Sequence, residues 1–203
     1  MYVGRIVIAG CAQGRSFVAY RVSSRSFPNR RAEIHEKSIT VVPLDPMDLA
    51  RNPYISYNCI RILDDLAVVS NGTHTDMITE RIKDGQSPGD AIALSLLAFG
   101  YERDELNTPR IAGAVRGNRA WLGIAGKDQL RVQQFRLDED RAIMVATYEK
   151  TDFEEISITG QDAAGIARKA YDLSFERPVC AAAAMASSAE HDGGFVLAAY
   201  NPD

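Results

Sequence analysis

The order in which the apolar periodicity changes along this chain limits the fold more than any other property of the sequence. Residues 2–9, 16–22, 38–43, 54–63 and 66–70 are short, rich in Val, Ile, Tyr and Phe, and divided by turn residues, so each is predicted as a strand. A helical pair follows. Residues 75–84 make the first helix, and Ser87-Pro88-Gly89-Asp90 opens the second, with serine as N-cap, proline at the first helical position and an acid at the third. Residues 91–98 then give an almost all-round apolar surface, which predicts a buried helix. Strands resume at 110–116, 119–125, 129–135, 142–149 and 153–158, with a tight turn at Gly117-Asn118. Residues 161–172 read as a third helix, 179–186 as a helix or strand, and 194–200 as a last strand. This order is not the strict alternation of a doubly wound parallel sheet. It predicts α+β layers: two stacked, mainly antiparallel sheets with helices outside.

A chain of 203 residues suits a single domain over 1–203. The longest apolar stretch, 91–99, is far shorter than the ~20 residues of a membrane span. The start, Met1-Tyr2-Val3-Gly4-Arg5-Ile6, lacks the basic and apolar regions of a signal peptide and reads as a strand. Cys11, Cys59 and Cys180 are odd in number, widely spaced and outside any CxxC, which argues against a disulfide framework or zinc site and for a reducing, cytoplasmic setting.

Net charge is −4, so general nucleic-acid binding has little support, but its distribution is uneven. Residues 1–32 hold six arginines (Arg5, Arg15, Arg21, Arg25, Arg30 and Arg31) and no acid. Either this is a localised anion site, for which the planar guanidinium fork is suited, or a solvated basic face that offsets acidic neighbours.

Four polar segments are able to carry chemistry. Residues 17–30 run from a strand into a loop dense in Arg, Ser and Asn, the groups a phosphate monoester needs around it. In the second segment, 51–61, alternation along strand 54–63 puts Ile55, Tyr57, Cys59 and Arg61 on one face and Tyr54, Ser56, Asn58, Ile60 and Ile62 on the other, so Tyr57 is either a positioned phenol or a core residue with its hydroxyl satisfied. Residues 69–76 leave a strand and enter a helix. Asn71 and His74 there either read a base or ribose, or belong to a turn and helix cap. Residues 101–110 follow the apolar helix with three acids and two arginines, and a carboxylate among them is either a general base or part of a solvated loop. His35, His74 and His191 lack metal-ligand spacing, and no phosphate-binding Gly-rich loop, dinucleotide fingerprint, GxSxG or HExxH occurs. These patterns predict no cofactor and no metal.

The strings AYRVSSRSFPNR (19–30), RNPYISYN (51–58), VVSNGTHTD (68–76) and YERDELNTPRIA (101–112) resemble the archaeal-type IMP cyclohydrolase family, in the family's order and at similar spacing. The resemblance is clearest over residues 1–125. It implies a four-layer α-β-β-α sandwich similar to the N-terminal nucleophile hydrolase fold. It also implies ring closure of 5-formamidoimidazole-4-carboxamide ribotide to IMP, the last step of purine synthesis. The hydrolases of that fold need Cys, Ser or Thr at the mature N-terminus, whereas Tyr2 follows Met1 here, so a covalent acyl-enzyme is disfavoured.

On this resemblance Tyr57 donates to the formyl oxygen or protonates the leaving hydroxyl, and Glu102 acts as base on the carboxamide or orients it. Arg21, Arg25 and Arg30 hold the 5′-phosphate. Asn58, Asn71, His74 and Asn107 contact ribose, carboxamide or oxyanion. The partner is a purine ribotide, with neither nucleic acid nor membrane, and apolar segments such as 181–185 suggest a homo-oligomer. The rival readings are a cyclic-amide hydrolase on the same fold, a nucleotide- or RNA-binding module using the N-terminal arginines, and a relative acting on another imidazole ribotide.

Overall fold

A computed structural model describes residues 1–51, 55–188 and 194–202, the side chain of residue 51 excepted. Residues 52–54 of the 51–58 string and His191 lie outside the described residues.

The chain begins with the hairpin β1 (Ile6–Ala12) and β2 (Arg15–Ser23), then β3 (Arg30–Ile34), β4 (Ser38–Pro43) and a short helix α1 (Pro46–Arg51). β5 (Tyr57–Leu63) and β6 (Leu66–Ser70) lead into α2 (His74–Lys83) and α3 (Pro88–Phe99). β7 (Arg110–Arg116), β8 (Arg119–Ala125), β9 (Leu130–Arg136), β10 (Ala142–Ala146) and β11 (Glu154–Ile156) come next. The described chain ends with α4 (Ala163–Tyr171), β12 (Pro178–Ala186) and β13 (Phe195–Tyr200). The strands form two sheets, in the orders β11-β10-β1-β2-β12-β13 and β3-β4-β5-β6-β7-β8-β9. Every pairing is antiparallel. The protein is therefore α+β, as the element order predicts.

Burial explains the layering. Alternate residues of β2 face opposite ways: Val18, Tyr20 and Val22 join a cluster with Ile39, Val69 and Leu122 of the second sheet, whereas Phe17 and Ala19 meet Ile166, Ala167 and Ala170 of α4. On the far face of the second sheet, Leu66, Val68, Ala112 and Ala114 pack against Ile78, Ile82, Ile92 and Leu96 of α2 and α3. Among the described residues no helix is long and apolar enough to cross a membrane. Cys11, Cys59 and Cys180 are free and buried.

Several expectations need correction. β1 starts at Ile6 rather than at residue 2, because Gly4 takes a φ of +68° that a strand does not use. β3 was not foreseen: Arg30-Arg31-Ala32-Glu33-Ile34 is charged because it is an edge strand with solvent on one side. α1 was also unforeseen, and is short and surface-lying, with Met47 and Leu49 exposed. α3 is not buried all round. Ala91, Ile92, Ser95 and Leu96 face the sheet, whereas Leu94 and Leu97 face outward, because α3 lies in an outer layer that none of the described residues covers. Residues 181–185 are interior, not surface: β12 runs between β2 and β13 with both faces covered, so they are no association patch.

Alternation in β5 is broken by a bulge. The register against β4 jumps from Ile39↔Ile60 to Thr40↔Asn58, inserting one residue. Ile60 thereby joins Tyr57 and Cys59 in the inter-sheet core. Arg61, expected on the Tyr57 face, instead turns outward with Asn58, and both reach Asp76 of α2, at 3.2 Å and 2.9 Å.

Candidate active site

The segments singled out in the sequence meet where strands of both sheets begin or end. Arg5 precedes β1, Arg30 opens β3, Tyr57 opens β5, Asn71 follows β6 and Arg110 opens β7. α3 stops at Gly100, and the loop from there to Arg110 carries Tyr101 and Glu102 over the same end. Together they line a cavity of about 690 Å³, large enough for a nucleotide-sized ligand. Phe27, Ile55, Phe99 and Tyr101 supply its apolar wall, Arg5, Arg30, Arg103 and Arg110 its positive one, and Glu102 and Asp104 its acids. Four guanidinium groups against two carboxylates, with the aromatic wall, suit it to an anion with a flat apolar part.

Two arrangements in the cavity are chemically specific. Glu102 stands between two arginines, with Arg5 Nη2 3.5 Å from one carboxylate oxygen and Arg110 Nη1 3.5 Å from the other. Tyr57 is 6% exposed, and its hydroxyl lies 2.8 Å from that of Tyr20, which is fully buried on β2 behind it. Burial pushes both phenols above their ordinary range, Tyr20 the further, although Arg5 beside them works the other way. Both therefore stay protonated and keep an O–H to donate. Burial opposes the Arg5 charge, but the Glu102 carboxylate beside it favours the cationic form. Arg30 is 7% exposed and its Nε donates to the Phe27 carbonyl at 3.0 Å, which fixes the guanidinium plane at the cavity wall.

Of the residues picked from the sequence, Arg30, Tyr57, Asn71 and Glu102 line the cavity. The side-chain amide of Asn71 donates to Pro109 O at 3.0 Å and accepts from Ile111 N–H at 2.8 Å, so it splints β7 to the end of β6. The other five lie elsewhere. Arg21 points to the opposite face of its sheet, where Nη1 and Nη2 donate to the carbonyls of Leu173 and Phe175 at 2.7 Å and 2.6 Å. Arg25 is exposed, pairs with Glu176 and lies over the Tyr2 ring. Asn58 accepts from Thr40 Oγ1 and donates to Asp76 beneath α2. Asn107 occupies an exposed turn with φ +48°.

His74 is fully buried beside the cavity wall, 5.9 Å from the Phe99 ring, with Nε2 3.1 Å from Ile111 O. Burial first, and the Arg110 charge second, lower its pKa to about 3, so it is a neutral imidazole. Its ring packs behind Phe99, which lines the cavity.

The sequence reading missed Arg5, Tyr20 and Arg110 as site residues. Each occurs in a segment already marked, as one of six arginines, within AYRVSS, or at the end of the 101–110 run, yet nothing local separates it from its neighbours. Among the described residues no group of three or more His, Cys, Asp or Glu side chains comes together as a metal site.

Comparison with known proteins identifies the family. A protein named IMP cyclohydrolase from Methanothrix thermoacetophila is 59% identical over 202 residues, covering all of both chains. One of the same name from Methanocella arvoryzae is 51% identical, with 99% of this chain and 98% of the relative covered. Another, from Natronomonas pharaonis, is 44% identical, with 96% and 98% covered. The family described as IMP cyclohydrolase-like protein matches residues 2–191, which include every side chain of the cavity. The chain belongs to the IMP cyclohydrolase-like family.

Proposed function

We propose that the protein is an IMP cyclohydrolase that closes the pyrimidine ring of 5-formamidoimidazole-4-carboxamide ribotide, and that the cavity holding Tyr57 and Glu102 is its active site. The reading is supported by relatives of that name along the full chain and by a cationic cavity with a flat apolar wall. The single observation that carries the chemistry is the carboxylate of Glu102 set between Arg5 and Arg110 in the cavity that Tyr57 also lines.

In this reaction the carboxamide nitrogen attacks the formyl carbon of the same molecule. The resulting carbinolamine loses a proton from nitrogen and a hydroxyl from carbon, so one water leaves. Holding the two groups in a near-attack rotamer supplies much of the acceleration, since well-oriented intramolecular reactions reach effective molarities of ~10⁵–10⁸ M. What remains is an amide nitrogen that is a poor nucleophile and an oxygen that becomes negative and then departs. Tyr57, protonated and backed by Tyr20, donates to that oxygen: with the Tyr20 hydroxyl donating to Tyr57, the Tyr57 proton is left for the cavity. Glu102 accepts the carboxamide N–H and steers its lone pair toward the formyl carbon. Arg30, held in the cavity wall by the Phe27 carbonyl, takes the 5′-phosphate. Phe27, Phe99 and Tyr101 flank the imidazole. No Cys, Ser or Thr occurs among the described lining residues, which favours ring closure without a covalent enzyme intermediate.

The layering of α4, two sheets and the α2–α3 pair supports a four-layer α-β-β-α sandwich like that of the N-terminal nucleophile hydrolases, formed as one domain over residues 1–203. The working state is a cytoplasmic homo-oligomer acting on the ribotide alone, without nucleic acid or membrane. Leu94 and Leu97, exposed on α3, support self-association, and light scattering that gives a single 22.3 kDa chain would overturn it.

The test is ultraviolet absorbance of the metal-chelated protein with the ribotide. Enzyme-dependent growth of the hypoxanthine band is expected, and a flat trace from folded protein would sink the reading. Arg30→Ala should mainly raise KM, whereas Tyr57→Phe and Glu102→Gln should each lower kcat by ~10²–10³.

A further inference from the structure

Glu102 lies on a loop outside any helix or strand, yet it is set accurately between two arginines from different sheets. Something must hold that loop in register. Its neck is closed by one backbone bond, Glu102 N–H to Thr108 O at 2.8 Å. Its interior is closed by Asp104, whose carboxylate accepts from Thr108 N–H at 2.8 Å and from Thr108 Oγ1 at 2.5 Å. Thr108 is fully buried, and its hydroxyl has a second partner from outside the loop: Tyr148 OH, at 2.5 Å. A threonine hydroxyl has one proton, and Asp104 takes it. The direction of the chain is then fixed: Tyr148 O–H donates to Thr108 Oγ1, which donates to Asp104.

Tyr148 belongs to the turn after β10, on the first sheet, and that turn also holds Arg5. Arg5 N–H donates to Thr147 Oγ1 at 3.1 Å, Thr147 N–H donates to Arg5 O at 3.0 Å, and Tyr148 N–H donates to Val3 O at 3.0 Å. The approach is so close that a Cβ on Gly4, whose φ is +68°, would lie 2.2 Å from Thr147 Oγ1 and 2.7 Å from the Tyr148 ring. The Tyr148 ring is stacked on Tyr2 at 5.8 Å. Two consecutive residues thus grip both members of the Arg5–Glu102 pair, Thr147 through the Arg5 backbone and Tyr148 through the Glu102 loop.

We propose that Tyr148 is a positioning residue of the cyclisation: through Thr108 and Asp104 it holds the 101–109 loop so that Glu102 meets Arg5 and Arg110. This rests on the reading that Glu102 acts on the ribotide. Tyr148 does not line the cavity and touches no substrate.

Tyr148→Phe removes only the hydroxyl and leaves the ring to stack on Tyr2. It is expected to lower kcat about tenfold, the scale of a small misplacement of a reacting group, with KM changed less than about twofold. Thr108→Val should do the same, and Thr108→Ser, which keeps the hydroxyl, should restore kcat. In a Glu102→Gln background Tyr148→Phe should add no further loss, because the route through Glu102 is already gone. An equal fall in both backgrounds, or an unchanged kcat, would overturn the proposal. Amide hydrogen exchange gives a readout independent of activity: the peptide spanning 101–109 should exchange faster in Tyr148→Phe than in the parent, and equal exchange refutes the clasp. If the parent makes no IMP, the reading of Glu102 fails on its own, while the exchange result still decides whether Tyr148 holds the loop.

Discussion

Arg21 is the largest fully buried side chain in the protein, and its guanidinium is committed to the carbonyls of Leu173 and Phe175, just past α4. Burial lowers its pKa to about 10, which still leaves it charged at neutral pH. It therefore ties the end of α4 to the centre of its sheet. Arg21→Met should cost roughly 3–5 kcal/mol in a urea titration, because two part-buried carbonyls lose charged donors, with KM for the ribotide unchanged. A KM change without a stability loss would return Arg21 to the ligand. His74 makes the complementary case. Below pH 6.5 the unfolded chain binds a proton there that the folded chain refuses until about pH 3. Its contribution is thus complete above 6.5 and declines as pH falls, by roughly 1.4 kcal/mol for each pH unit. His74→Gln, which retains a donor for Ile111 O, should flatten the acid limb of stability between pH 6 and 4; an unchanged limb would mean that other groups set it. Residue type and segment were legible in the sequence for Arg30, Tyr57, Asn71 and Glu102. The side of the sheet was not: Tyr20 and Arg21 are adjacent, and only packing sends the first behind Tyr57 and the second to the segment after α4.

At the level of elements, the Ser87 cap and the Gly117-Asn118 turn correspond to observed features because local chemistry suffices. Ser87 Oγ accepts from Asp90 N–H at 3.2 Å, and the Gly117-Asn118 turn joins β7 to β8 with Arg116 opposite Arg119. What eluded the sequence depends on neighbours. The Cys59–Ile60 bulge comes from pairing with β4, and the open side of α3 from its place in an outer layer. Two consecutive leucines test the latter. Leu96 is fully buried against the sheet, so Leu96→Ala should cost ~2–5 kcal/mol, whereas at Leu97, 66% exposed, the same change should stay within ~0.5 kcal/mol. Chemical unfolding of dilute protein decides it. A Leu97 loss that grows with protein concentration would instead report association between chains. Gly123 marks the closest approach of α3 to β8: a Cβ there would lie 2.6 Å from Ile92 and 2.7 Å from Leu96, so the helix docks only because that position is bare.

Across the whole molecule, the cavity exists because two sheets end together. Arg5 comes from one, Arg30, Tyr57 and Arg110 from the other, and the loop between α3 and β7 carries Tyr101 and Glu102 to the same cavity. The order of strand and helix segments made the stacked sheets legible, but not which ends would meet, since that is decided by pairing order. A ligand held by groups from both sheets binds only the assembled state, so its binding energy becomes stability. At a concentration about 100 times its Kd, IMP should add ~2.7 kcal/mol. In a chain of this size that corresponds to a Tm rise of about 5–10 °C. Inosine, which lacks the phosphate, should protect far less at equal concentration. The difference between the two should shrink in Arg30→Ala and survive in Arg21→Met, because only the first guanidinium faces the cavity. Equal protection by inosine and IMP would show that the arginine wall does not bind phosphate and would shift weight to a cyclic amide without one. Protection by IMP that survives Arg30→Ala would instead move the phosphate to Arg103 or Arg110 at the other side of the same cavity.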